Sequence, residues 1–201
     1  MVQTNTKKRI LSAALELFSA GGYDAVSVEQ IASAVGIKAP SLYKHYKSKK
    51  DIFDSIVEKM TVLDGEFASK HGMPLESADD DDYNDLPLDR FGAFCKEMFS
   101  HWTKDEYACR FRRVLTIEQY RNAEMAKLYK QYLGSGPLCY TADILRSYAE
   151  TDKQAISLAM SLYGAMFLSF TVYDSGEKKK AENQIIDFID QFISDLKENR
   201  K

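Results

Sequence analysis

Apolar residues recur along this chain at helical spacing from near its start to near its end. From Lys7 to Phe18 they fall at Ile10, Ala14, Leu17 and Phe18, which is one face of a helix. Gly21-Gly22 predicts its end, because glycine enters the left-handed conformation without a Cβ clash. Ser27 then opens a second helix. Ser27 and Gln30 have capping-box spacing, and Val28, Ile31, Ala32 and Val35 form the apolar stripe. Gly36 stops it, and Pro40 sits well in the first turn of a third short helix from about Ala39 to Tyr46. Ser48 caps a fourth, with Ile52, Phe53, Ile56, Val57 and Met60 on one side. Further on, Leu88–Thr103 and Asp105–Tyr120 read as two aromatic-rich helices, and Gly134-Ser-Gly-Pro137 breaks another helical tract. Asp152–Tyr173 is apolar nearly all round. Lys178–Lys197 carries Ile185, Ile186, Ile189, Phe192, Ile193 and Leu196. No β-type alternation of useful length is present. The class is all-α with about nine helices, and residues 76–87, with six acids and no base, read as an exposed loop.

Composition narrows this little, but charge does. With 4 prolines and 10 glycines in 201 residues, long helices have room. The N-terminus lacks the apolar core of a signal peptide, and no apolar run is expected to reach membrane-spanning length, which points to the cytoplasm. Cys95, Cys109 and Cys139 are too scattered for a zinc site or a disulfide framework, and His45, His71 and His101 lie far apart in sequence. No catalytic motif, metal ligand set or cofactor fingerprint is found. Residues 1–50 carry 8 Lys/Arg against 3 Asp/Glu, whereas the whole chain has net charge -3. A basic head on an acidic body predicts that the head meets a polyanion.

The helix, turn around Gly36 and second short helix form a helix-turn-helix. In such units the second helix enters the major groove of DNA. Lys38, Lys44, Lys47, Lys49 and Lys50 can neutralise phosphates. Ser27, Ser41, Tyr43 and His45 can hydrogen-bond phosphate oxygens. Ala39, Pro40 and Ser41 are small enough to approach base edges. The start of the fourth helix, beside Lys49, offers free N–H groups as a phosphate site.

Residues Thr6 to Val57 closely resemble the DNA-binding head of the tetracycline-repressor (TetR) family of bacterial transcription regulators. The resemblance rests on Phe18, Gly22-Tyr23, Ser27, Ile31-Ala32, Gly36-Ile37, Leu42-Tyr43-Lys44-His45-Tyr46 and Lys47-Ser48-Lys49. It implies that Ser27, Lys38, Ala39, Ser41, Tyr43, His45 and Lys49 fall at DNA-contact positions, with Pro40, Lys44 and Lys47 beside them. Leu42 would anchor the recognition helix in the core. Lys38 departs from the Ser or Thr common before that helix and leaves its cap weaker.

The division expected is a DNA-binding head at residues 1–50 and a body at 51–201. One helix-turn-helix covers few base pairs, so two copies must be held together to read a palindromic double-stranded operator. The two C-terminal helices are the expected homodimer interface, and the resemblance implies the same four-helix arrangement. It also implies an effector pocket in the body. Candidate lining residues are Phe94, Met98, Trp102, Phe111, Leu115, Tyr120, Tyr140, Tyr163 and Phe167. Arg110, Arg112 and Arg113 either pair with the acidic loop or hold a ligand carboxylate. The expected function is that of a ligand-responsive repressor and not an enzyme. An activator of the same family and a helical protein-binding adaptor stay open as alternatives.

Overall fold

The computed structural model describes residues 2–74 and 86–198, with side chains from residue 5 onward. Among these residues there are ten α-helices, one 3-10 turn and no strand. The helices are α1 (Val2–Gly21), α2 (Val28–Ala34), α3 (Ala39–Leu42), α4 (Lys49–Lys70), α5 (Leu88–Lys104), α6 (Glu106–Glu118), α7 (Ala123–Leu133), α8 (Ser135–Leu145), α9 (Asp152–Asp174) and α10 (Lys178–Glu198). The all-α class is as the periodicity predicts. Of the stretch 76–87 expected as an exposed loop, residues 76–85 lie outside the described residues, while Leu86 at its end is buried, its apolar side chain departing from that expectation.

Two compact units form. The first joins the residues up to Asp64 with Glu106–Tyr129, and the second joins Gly65–Asp105 with the chain from Lys130 onward. The first unit is thus larger than a 1–50 head. It takes in the first part of α4, which buries Ile52, Phe53, Ile56 and Met60, and also α6, which packs against α1. The division falls inside α4, at Asp64/Gly65, and inside α7.

Within the first unit, α1 buries Ile10, Leu11, Ala14, Leu15 and Phe18. Leu17, expected on that stripe, is only half-buried, because the face is centred one position earlier. Gly22 ends α1 at φ +86°. The rings of Phe18, Tyr23 and Phe53 then meet at 5.1 to 6.3 Å, joining α1, its turn and α4. Tyr107 of α6 donates its hydroxyl to the Ile56 carbonyl at 3.0 Å, and burial pushes its pKa up.

Within the second unit, α9 packs on α8 and α10, and α10 also packs on α5. Helix α9 has two apolar faces. Ala155, Ala159, Leu162, Tyr163, Met166, Phe170 and Tyr173 are buried. Ile156, Met160, Phe167 and Leu168 are exposed, at 49%, 60%, 39% and 63%. Contrary to the expectation from sequence, α9 is long and apolar enough to cross a membrane, by length and composition alone. Its polar interruptions are mostly small serines, which lower its apolar character little. Cys95 and Cys109 are buried free thiols, Cys139 is exposed, and burial pushes the Cys95 pKa up.

Candidate nucleic-acid interface and effector region

The recognition element is built from local rules. Ser27 caps α2: its hydroxyl accepts from the Gln30 amide at 3.2 Å, and the Gln30 side chain accepts from the Ser27 amide at 2.7 Å. Helix α2 ends in a turn at Gly36, whose φ of +73° suits glycine. Helix α3 starts at Ala39 with Pro40 in its first turn, and Lys38 makes no side-chain cap, as its identity predicts. The helix stops at Leu42, short of the expected Tyr46. Residues 43–46 continue as tighter turns, in which the His45 and Tyr46 amides both donate to the Leu42 carbonyl. Leu42 is fully buried and anchors this element.

Around that anchor, Lys38, Pro40, Tyr43 and Lys44 are exposed, while Ser27, Ala39, Ser41, His45 and Lys49 are half-buried. Tyr43 projects half its surface to solvent. Tyr46, by contrast, is buried, its hydroxyl against the Lys7 carbonyl and its ring under the Lys7 ammonium. All nine nominated DNA-contact residues lie in the first unit.

Two of the basic groups have additional work. The Lys49 ammonium donates to the carbonyls of Tyr23 at 2.8 Å and Val26 at 3.0 Å, and sits 4.4 Å from the Tyr23 ring centroid. It clamps the α1–α2 connection. The Lys50 ammonium bridges Asp54 and Glu124, which raises its pKa. The start of α4 is also less open than expected. Ser48 accepts from the Asp51 amide, and the Asp51 carboxylate accepts from the Lys47 amide, so this capping pair occupies donors that a phosphate would use.

Sequence reasoning missed Glu118. It lies at the end of α6, is fully buried, and accepts the Tyr23 amide at 2.9 Å. A Cβ on Gly22 would come within 2.5 Å of the same carboxylate oxygen. The partners are 95 residues apart, so nothing in local sequence signals the contact. Arg110 pairs with Glu106 one turn away and with Glu16 of α1, and Arg112 is buried.

The nine nominated effector residues do not form one group. Phe111, Leu115 and Tyr120 belong to the first unit, and the other six to the second. Tyr120 is 88% exposed, because α6 ends at Glu118 before it can turn inward. Phe167 faces outward on α9. Tyr140 and Tyr163 are tethered through their hydroxyls to the carbonyls of Pro74 and Leu133. Phe94 and Trp102, both buried, lie in a ring cluster with Phe67, His71, His101 and Tyr132. Met98, half-buried, follows on the same stripe of α5. Among the described residues no group of His, Cys, Asp and Glu is placed to hold a metal.

A capped helix, a glycine turn and a short second helix flanked by Lys38 and Lys44 make a helix-turn-helix unit on an all-α scaffold, the arrangement of many DNA-binding regulators. Residues 10–56 match the family described as bacterial regulatory proteins, tetR family. Over 52 residues the chain is 44% identical to the biofilm operon icaADBC HTH-type negative transcriptional regulator IcaR of Staphylococcus aureus (strain Newman), covering 26% of this chain and 28% of that protein. The chain thus spans little more than a quarter of the length of that curated relative. Likeness of fold extends much further. A TetR-like transcriptional regulator from Rhodococcus sp. RHA1 superimposes with TM-score 0.68 at 19% identity, over 92% of either chain. FadR of Bacillus subtilis, solved in complex with stearoyl-CoA, does so with TM-score 0.63 at 19% identity, over 94% of this chain and 96% of that one. The tetR family match thus covers the head at residues 10–56, and the chain as a whole shares its fold with solved TetR-type regulators.

Proposed function

We propose that this protein is a ligand-responsive repressor that binds a palindromic operator as a homodimer in the cytoplasm. The observation that carries the reading is the α2–α3 unit. One side of it ends on the buried Leu42, while Lys38, Pro40, Tyr43 and Lys44 stand free on the other. In this reading Tyr43 and Ser27 grip phosphate, Lys38, Lys44 and Lys49 supply charge, and Ala39, Pro40, Ser41 and His45 approach the groove. The negative regulation in IcaR's name supports repression by likeness.

The exposed apolar face of α9 supports self-association. Ile156, Met160 and Phe167 follow at i, i+4 and i+11 with Leu168 adjacent, and Ile186 and Phe188 on α10 are 40% and 37% exposed. Such a face is costly in water, and a second copy would cover it. The bound acyl-CoA of FadR supports an effector in this fold. Helix α4 has residues in both units, so an effector preferring one placement of the heads would alter operator affinity by linkage.

The test is a gel-shift titration with DNA from the protein's own promoter region. A saturable shift that is weakened at least tenfold by Tyr43→Ala combined with Lys44→Ala supports the reading. Unchanged affinity in a folded double variant rejects it.

A further inference from the structure

The second unit holds a ring cluster in which one imidazole carries a buried polar atom without a hydrogen-bond partner. Phe67 of α4 has the His101 imidazole stacked on it, with centroids 4.6 Å apart and planes at 18°. His71 lies 4.4 Å from the same ring, and Phe94 lies 5.7 Å from it. Trp102 meets His101 edge-on at 5.8 Å. His71 directs its Nδ1–H to the Phe67 carbonyl at 2.8 Å. The Nε2 atom of His101, however, is buried with no hydrogen-bond partner. Buried polar atoms are nearly always satisfied, so one left open among flat rings marks a place for a missing polar partner.

We propose that His101 Nε2 is the polar anchor of the effector site, taking the hydroxyl of a flat, uncharged aromatic molecule that lies among Phe67, Phe94 and Trp102. This rests on the effector reading above. A hydroxyl both donates and accepts, so it satisfies either tautomer of a neutral imidazole. Burial disfavours the imidazolium here, so no fixed cation waits for a carboxylate. The Asp105 carboxylate, whose field reaches the same ring, repels anions further. An aromatic ligand replaces ring–ring contacts with contacts of the same kind, which an acyl chain does not.

Trp102 is the one tryptophan of the sequence, so its emission reports this cluster in the full-length protein. The probes are 4-ethylphenol, ethylbenzene and 4-ethylbenzoate. 4-Ethylphenol is expected to perturb Trp102 with a Kd about tenfold below that of ethylbenzene, the worth of one hydrogen bond, and the benzoate is expected to bind weakest. His101→Phe should bring the phenol and ethylbenzene to equal affinity with circular dichroism unchanged. His101→Gln, whose amide reaches the same region, should recover part of the difference. Equal affinities in the wild-type protein, a preference for the benzoate, or a phenol preference retained in His101→Phe would each overturn the proposal. If His101→Phe does not fold, the wild-type series and His101→Gln decide. Gel shifts with 4-ethylphenol separate the two readings. Binding at Trp102 without loss of operator affinity counts against the ligand-responsive function alone. Operator release that ignores His101 counts against this site alone.

Discussion

At the residue scale, buried carboxylate and imidazole groups matter most. Gly22 has φ +86°, and a methyl there would collide with the Glu118 carboxylate that receives the Tyr23 amide. Gly22→Ala is therefore expected to destabilise the protein by about 2 kcal/mol, from a left-handed backbone plus the lost contact, measured as a drop in Tm or denaturant midpoint. His101 gives a pH dependence. Burial, chiefly, and the charge of His71 lower its folded pKa below the unfolded value, while Asp105 opposes them. The unfolded chain therefore binds more protons as pH falls through 6.5 toward the lower folded value. Stability present in full above that pH should decline below it, and His101→Gln should flatten the decline in a series of thermal melts. Neither Glu118 nor the His101–Phe67 stack was legible in sequence, since each joins residues separated by more than thirty positions. The role of Lys49 as a clamp on the Tyr23 and Val26 carbonyls, 26 and 23 positions away, was hidden as well. Its charge suggested phosphate, and only the packed turn reveals the carbonyls.

At the element scale, most of the fold was written locally. The Ser27–Gln30 box, the Gly36 turn and Pro40 in the first turn of α3 are rules of three- or four-residue reach, and all are found as read. Ser27→Ala should cost about 1 kcal/mol by uncapping α2, visible as a lowered Tm and as weaker operator binding. Element ends were less legible. Helix α3 closes at Leu42 because the chain tightens through residues 43–46 while Tyr46 turns inward under Lys7. The periodicity of α9 was ambiguous because both of its faces are apolar, and only packing distinguishes the side covered by α8 and α10 from the side that is bare. If that bare face is the homodimer seam proposed above, a charge placed in it is expected to separate the two copies. Leu168→Asp, at a position 63% exposed in one chain, should leave helicity intact and shift sedimentation from dimer to monomer.

At the scale of the whole molecule, the bias of positive charge toward the first 50 residues sets how binding responds to ions. If Lys44 meets a phosphate in each half-site, Lys44→Ala should reduce the slope of log K against log salt by about 1.8 per dimer, from about 0.9 per contact. That titration distinguishes a lysine on the backbone from one merely solvated. The partition into two units was poorly legible. Sequence suggested a cut near residue 50, where charge changes sign, but packing extends the first unit to Asp64 and recruits α6. The boundary then falls within the unbroken α4, beside Gly65, where an added Cβ would meet no neighbour. A domain border inside a continuous helix makes melting of one half fray the other, so calorimetry should register one endotherm instead of two. Glycine is about 1 kcal/mol poorer than alanine at such a site, which makes residue 65 the softest link in that rod. Replacing it with alanine should sharpen the endotherm and raise its temperature.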